Sequence, residues 1–451
     1  MPKKGNKEEI VKGAGLTYED YARLPEDGPR YELAGGKFVM LIKFTLLLHP
    51  LKNKAFLMLW VSQFLNVTGD AIFSVALGLF LLQRAHPAQD LGVVLGAVAF
   101  GAATSLMYGG VLADRFRKSR VLIVSDILRL LGVLGIIILG GKSSLILLGT
   151  LGLFIGIGEG LYRPTYSALI PEIIDEKNIR AANGLRSATN RVAAMIGAAL
   201  GGVLAAAAGP SFALWVDVIT FAVSIMILLL IRDSVHHRPD EESLLNSAIS
   251  GLSYVIHRPW MSAIILQGML QVAFVVAPVT ILLPLVFGQV HSELYGITLS
   301  VEAFGAFLGS FMGASFISSR PGLYAMIALM LQVPQLVILA SGFHVWLLVP
   351  SSFLTGFGLS AFGVIWITSL QLITPREKLG RVLSIDALGN SVISPLGFIL
   401  VGYLLPLVGF QFVAWFALGV LVTSILGALL IPGVIELGGG LKNSGLGESH
   451  G

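Results

Sequence analysis

The chain has no cysteine and little charge. Without cysteine, disulfides and thiolate metal sites are excluded. Charged residues make up 12% of the 451 residues against 55% hydrophobic ones, and mean hydropathy is +0.84. A soluble domain carries about 25% charged residues, so this composition cannot build a water-facing surface of ordinary size. Lipid must cover most of the molecule. No G-x-x-x-x-G-K-[ST] loop occurs, which argues against nucleotide-driven work within the chain. Nor is there a Gly-X-Y period or low-complexity tract to explain the 53 glycines. In membrane helices, glycine lets backbones approach where no hydrophobic effect drives them together. The first forty residues are polar, and no small-residue cleavage site follows an apolar core, so no cleaved leader is expected.

What the sequence does have is apolar runs. A bilayer core takes about 20 apolar residues in a helix. Such stretches fall at 55–82, 91–112, 121–141, 144–165, 183–208, 211–231, 260–287, 294–317, 322–342, 345–372, 382–407 and 410–432. They predict an all-α membrane protein of twelve transmembrane helices. At Gly209-Pro210 and at Gly409, two spans are joined by almost nothing. If the N-terminus lies inside, the inner segments hold Lys52, Lys54, Arg115, Arg117, Lys118, Arg120, Arg258, Arg320, Lys378 and Arg381 among others, and the outer loops only Arg84 and Lys142. The positive-inside rule then puts both termini in the cytoplasm.

The longest connection, 232–259, is charged and histidine-containing (RDSVHHRPDEES). It separates six spans from six, as in transporters built from two repeats that expose a midplane site alternately to either side. The expected organisation is a cytoplasmic N-terminal extension over 1–45, a first six-helix half over 46–231, a cytoplasmic linker over 232–259, a second half over 260–432 and a disordered tail over 433–451. Internal symmetry is weak. Its clearest echo sets Gly92 and Gly96 of the second span against Gly305, Gly309 and Gly313 of the eighth.

The loop after the second span reads GGVLADRFRKSR. It resembles the signature loop of the major facilitator superfamily, with Gly110, Asp114, Arg115, Lys118 and Arg120 at the matching positions and Arg117 where the family often has glycine. The blocks PLKNKAFLMLWVSQFLNVTGDAIFSVAL, SDILRLL, PTYSALIPEII and LGRVLSIDALGNSVISPLG resemble the macrolide-efflux and enterobactin-exporter branch, over about residues 46–432. The resemblance implies two six-helix halves and a loop that latches them, so that Asp114 makes contacts in one state and loses them in the other. Asp126 and Arg129, spaced i,i+3, offer an ion pair beside it. Without the family, the loop reads as a solvated basic segment that sets topology. In the fifth span MIGAALGGVLA matches the exporters' glycine pattern at Gly197, Gly201 and Gly202, but Ala198 replaces its proline. As small-residue packing, Gly197 and Gly201 are expected against the glycine ladder of span eight.

Ionisable groups inside a membrane are costly and read as functional by default. Asp70 lies in the outer half of the first span, on a stripe with Gln63, Asn66 and Ser74, and the related exporters carry a Gly-Asp at the place of Gly69-Asp70. Glu302 stands about nine residues into the eighth span, near the midplane at about 1.5 Å per residue. No base lies one turn away on its own helix, so it is protonated or paired across helices. A buried carboxyl can load and release a proton as access alternates; the plainer alternative is an interhelical hydrogen bond. Asp70, Glu302 and Glu159 are the candidates for proton coupling, although Glu159 and Arg163 at i,i+4 also read as a structural pair. Asp217 and Asp386 are expected at the membrane interface. Pro278, Pro284, Pro334 and Pro395 are expected to bend their helices.

The resemblance places spans one, four, seven and ten around a central cavity, where Asn66, Phe73, Gln267, Gln271, Phe274 and Trp366 are candidates to line it. Aromatics with few polar groups and one acid suit large amphipathic molecules, cationic or neutral; each residue singly also reads as helix packing. Residues 16–40, LTYEDYARLPEDGPRYELAGGKFVM, resemble instead the opening of the Uma2-type restriction-endonuclease-like family. A metal-dependent nuclease needs several carboxylates and a lysine around its metal, and only Glu32 could match one of them, so this segment reads as a fused remnant.

The reading that results is a non-enzymatic secondary transporter of a bacterial cytoplasmic membrane. It would be a monomer that exports a drug-like or siderophore-like molecule on a proton gradient, with no cofactor, no metal and no nucleic-acid partner. Uptake or facilitated diffusion by the same fold, and a non-transporting scaffold, are the competing readings.

Overall fold

The computed structural model describes residues 31–34, 37–40, 48–141, 143–175, 178–231, 252–288, 291–315 and 318–437. Among these described residues, twelve helices are long and apolar enough to cross a membrane. They are α1 (Lys54–Leu81), α2 (Pro87–Arg115), α3 (Lys118–Leu139), α4 (Leu145–Ile173), α5 (Ile179–Ala208), α6 (Pro210–Leu228), α7 (Pro259–Phe287), α8 (Ser292–Ser315), α9 (Pro321–Ser341), α10 (Leu348–Ile373), α11 (Arg376–Val408) and α12 (Phe410–Leu429). All twelve apolar runs are helices, and α4 continues through Pro164 and Pro171, past the run that marked it.

Local chemistry sets the ends. Asn53 caps α1, accepting from the backbone N–H groups of Ala55 (2.9 Å) and Phe56 (3.2 Å). Its amide also donates to the Ile173 carbonyl (2.7 Å), which ties the start of α1 to the end of α4. Prolines stand in the first turn of α2, α6, α7 and α9, where a missing N–H costs nothing. A single residue separates α5 from α6 and α11 from α12. Gly209 (φ +88°) and Gly409 (φ +86°) take backbone conformations that L side chains rarely adopt, and so reverse the chain in one step.

Two of the expected bends appear as changes of helix type. Pro278 has no N–H to give the carbonyl one turn back, and the residues before it, Val272–Val276, widen into a π turn within α7. Pro334 sits in the first turn of a new helix after α9 breaks between Met330 and Val333. Pro284 and Pro395 lie inside uninterrupted helices.

The first six helices pack mainly on one another, as do the last six, and the two groups meet where α2 crosses α11 and α5 crosses α8. At the end away from the basic loops, one apolar core runs through both groups, from Leu79, Leu91 and Phe221 to Leu282, Phe287 and Leu405. At the basic end the core is divided. Phe56, Tyr166 and Leu228 belong to a cluster within the first six helices, and Trp260, Leu370 and Leu421 to a separate one within the last six. The bundle is therefore closed at one end and parted at the other.

Several expectations need correction. Gly92 and Gly96 are not the counterparts of the α8 ladder. They face α11, at Phe398, Gly402 and Ile399, whereas Gly305, Gly309 and Gly313 face α10 at Phe353, Phe357 and Ala361. The α2 glycines that do match this ladder are Gly101 and Gly109, which pack on α4 in the same way. Gly197 and Gly201 pack on α1, at Thr68, Ala71 and Ile72; only Gly202 meets α8. The C-terminal segment is fixed through Leu437: Gly322 donates to the Ile435 carbonyl (2.9 Å), and Val434 and Leu437 are buried. In the N-terminal extension, Tyr31–Ala34 (β1) pairs antiparallel with Lys37–Met40 (β2), Glu32 opposite Val39. The rest of that extension, residues 232–251 of the linker and 438–451 lie outside the described residues.

Candidate functional site

Between the two helix groups, just inside the closed end, lies a cavity of about 210 Å³. Phe73, Ser74 and Leu77 of α1 line it at helical spacing, with Thr280 and Pro284 of α7, Tyr295 and Glu302 of α8, Gln332 and Gln335 of α9 and Thr355 of α10. Two further recesses continue it toward the basic end. One, of about 390 Å³, is shared by Glu302, Ala306 and Ser360. The other, of about 310 Å³, is lined by α2, by Glu159 and Arg163 of α4, and by Ser391 and Ser394 of α11. Its walls are largely apolar with few polar groups, the usual make-up of a small-molecule site.

Glu302 is half-buried, and no basic side chain pairs with it among the described residues. One turn further along α8, Arg191 reaches across from α5 and donates to the Ala306 carbonyl (3.1 Å) and the Ser360 hydroxyl (3.3 Å). Glu159 and Arg163 pair at 2.5 Å, with Arg163 mostly exposed. The Gln335 amide is spent within the last six helices, donating to Ser352 (2.7 Å) and accepting from Thr355 (2.9 Å).

A buried polar cluster lies inside the first six helices. Arg129 of α3, with its side chain 3% exposed, pairs with Asp70 of α1 and lies 3.7 Å from Asp126. Its guanidinium stands over the Phe221 ring at 4.4 Å and beside Tyr162 at 5.8 Å. Asp126 is fully buried and accepts from Asn66 (3.0 and 3.1 Å) and from Ser224 (2.6 Å). Asp217 of α6 is also fully buried, against Gly69 and Thr220, one turn before the Phe221 ring that lies under Arg129. It is not at the interface, as its closeness to the end of the span suggested, because it faces inward onto a glycine that leaves room for it. Asp386 is half-buried in α11 and accepts from the Trp366 indole (3.2 Å).

The other sequence candidates divide. Of the expected cavity residues only Phe73 lines the cavity. Asn66 is held by Asp126, Gln267 donates to the Met326 sulfur (3.3 Å), Gln271 donates to Ser424 (3.1 Å) and Trp366 is buried on Asp386 and Trp260. Phe274 packs edge-on against Phe416 in a separate apolar recess. Each is occupied by packing within its own half. The signature loop also separates. Gly110 and Asp114 end α2, with side chains outside the described residues; Arg115 and Arg120 are exposed; Lys118 is buried and pairs with Glu172 of α4 at 2.6 Å. Asp126 and Arg129 do not join the loop but turn into the cluster above. Arg191, Gln332, Gln335 and Asp217 were missed. A glutamine pair at i,i+3 around Pro334 was the available signal for two of them.

A family model described as Major Facilitator Superfamily matches residues 59–334, more than half of the chain. The enterobactin exporter EntS of Shigella boydii is 25% identical over 368 residues, 77% of this chain and 86% of that protein; EntS of an Escherichia coli strain is 24% identical over the same share. Among solved structures, the nucleoside transporter NupG superposes with a TM-score of 0.69 at 12% identity, covering 83% of this chain and 98% of that one. A bacterial homologue of the iron transporter ferroportin, in an inward-facing state, gives a TM-score of 0.65 at 17% identity, covering 83% and 98%. At such identities these structures speak for the fold alone. A bundle of two six-helix groups around a central cleft, the signature loop and the family match together place this chain in the Major Facilitator Superfamily, as a secondary transporter of small molecules and not an enzyme.

Proposed function

We propose that this chain is a proton-coupled exporter of an amphipathic small molecule, drug-like or siderophore-like, acting as a monomer in a bacterial cytoplasmic membrane. One observation carries the proposal. Glu302, an acid with no basic partner among the described residues, stands in an apolar cleft that opens at the basic end. The positive-inside rule makes the basic end cytoplasmic, so the cleft faces the compartment from which an exporter loads. A carboxylate in apolar surroundings seeks a proton or an organic cation, and the two can exchange at Glu302 as access alternates. Asp70, on the cavity stripe of α1, and Glu159, in the adjoining recess, are the further coupling acids. The similarity to an enterobactin exporter supports the direction and a sizeable substrate.

In proteoliposomes carrying the transported compound, Glu302→Gln abolishes pH-driven movement while the protein still inserts. Unchanged coupling in that variant removes Glu302 from the mechanism. The compound itself is found by comparing the growth of cells with and without the gene across antibiotics and chelators.

A further inference from the structure

We propose that the cluster of Asp70, Asp126 and Asp217 around Arg129 is a second proton site, built inside the first six helices and reached from the cleft through Asp70. The inference rests on the proton-coupled reading above, and it concerns residues away from Glu302.

Charge balance leads to it. Arg129 pairs with Asp70 and lies 3.7 Å from Asp126, and Asp217 lies against Gly69 on the helix whose Phe221 ring sits under the guanidinium, so the ionised cluster would hold two more negative charges than positive. Asp70 is 45% exposed and open to water, but Asp126 and Asp217 are fully buried with an Arg129 side chain that is 3% exposed, so water cannot screen the one negative charge by which these two acids outnumber the guanidinium. Uncompensated charge at such a depth is expensive, and a carboxyl removes the expense by taking a proton. Among the described residues, the neighbouring helices supply no second cation. On α4, Tyr162 is neutral and Glu159 already holds Arg163. On α5, Arg191 points to Ala306 and Ser360, and Arg186 lies over the Tyr166 ring. On α2, Asp90 is paired with Arg84.

Hydrogen bonding agrees. Asp126 accepts from two neighbours, Asn66 and Ser224, as suits the ionised member. Asp217 has one oxygen, Oδ2, with no partner, and the Tyr162 hydroxyl and Arg129 Nε are unpartnered as well. A buried oxygen with no donor suits a carboxyl that carries its own proton. Access comes from Asp70. Its side chain is 45% exposed, and Phe73, Ser74 and Leu77 continue its face of α1 along the cavity wall. A proton that arrives on Asp70 weakens its pair with Arg129 and leaves the guanidinium to Asp126 and Asp217. Arg129 thus decides which acids stay ionised.

The test is infrared titration of the purified full chain in lipid nanodiscs, following the carbonyl stretch of protonated carboxyl groups across the pH range. It needs neither substrate nor gradient. In Glu302→Gln the band persists, because the cluster supplies it, and adding Asp217→Asn removes intensity from it. Isotope-labelled aspartate in the unaltered chain shifts the band with no substitution at all, so the result survives a variant that fails to fold. A band that ignores the aspartate label, or that is unchanged by Asp217→Asn and by Asp126→Asn, overturns the proposal. A labelled band in a protein that moves nothing with pH refutes proton-coupled export and leaves the site in place.

Discussion

Gly202 of α5 and Gly296 of α8 cross backbone to backbone: a Cβ on Gly296 would stand 2.6 Å from the Cα of Gly202. Gly92 of α2 and Gly402 of α11 repeat the crossing, a Cβ on Gly92 standing 2.8 Å from the Cα of Gly402. These paired crossings close the end of the bundle away from the basic loops. They can form only where neither helix carries a side chain.

Gly296→Leu is therefore expected to prise that end open. Overpacking a close contact costs about 1–3 kcal/mol, a shift of about five- to 150-fold in favour of the state in which α5 and α8 part. The native chain has no cysteine, so introduced thiols are its only spin-label sites. Distances across the closed end, measured between labels on α5 and α8, should lengthen in Gly296→Leu. An unchanged distribution contradicts the assignment.

Gly209→Ala and Gly409→Ala test the one-residue reversals. A Cβ at either place meets nothing within 4 Å, so strain at positive φ is the whole effect. Each should destabilise by about 1–3 kcal/mol, read as a lower Tm in detergent. Gly141→Ala, equally open but without positive φ, should leave Tm unchanged.

Lys118→Met removes one partner of Glu172 at a site where the two side chains are 5% and 17% exposed. Breaking a buried pair on one side costs about 3–5 kcal/mol, and the loss should appear as early thermal unfolding. Arg120→Met, two residues away and exposed, should stay within about 0.5 kcal/mol of the parent. Equal effects would show that charge count, and not pairing, matters in this loop.

A chain beginning at Met40 should transport as the full chain does, since the cleft and its acids begin in α1. Loss of activity on that deletion, with normal insertion, would assign the N-terminal segment a part in function.

The apolar runs were legible because lipid imposes length and composition on every crossing. What a crossing faces was not. Asp217 reads as interfacial by its distance from Pro210, and only the rotation of α6 turns it onto Gly69. Gln267 and Gln271 read as cavity residues by helix number, and their partners Met326 and Ser424 lie far along the chain. The two halves were legible, but the register of the repeat was missed for a similar reason. Asn190 to Gly209 and Asn390 to Gly409 keep one register, glycine for glycine at 197 and 397 and at 202 and 402, while the residues between them diverge. Glu302 was legible, because an acid in a run of apolar residues needs no partner to be noticed.

The one-residue turn at Gly209 has a mechanical consequence. It leaves no slack between α5, which carries Gly202 against the opposite half, and α6, which carries Asp217 into the acid cluster. When the halves swing and the glycine crossing slides, α6 must be dragged along, and with it the carboxyl beside Arg129. Sealing of the outer gate and rearrangement of the buried charges would then be one motion, linked by a stiff hairpin and not by diffusion of anything between them.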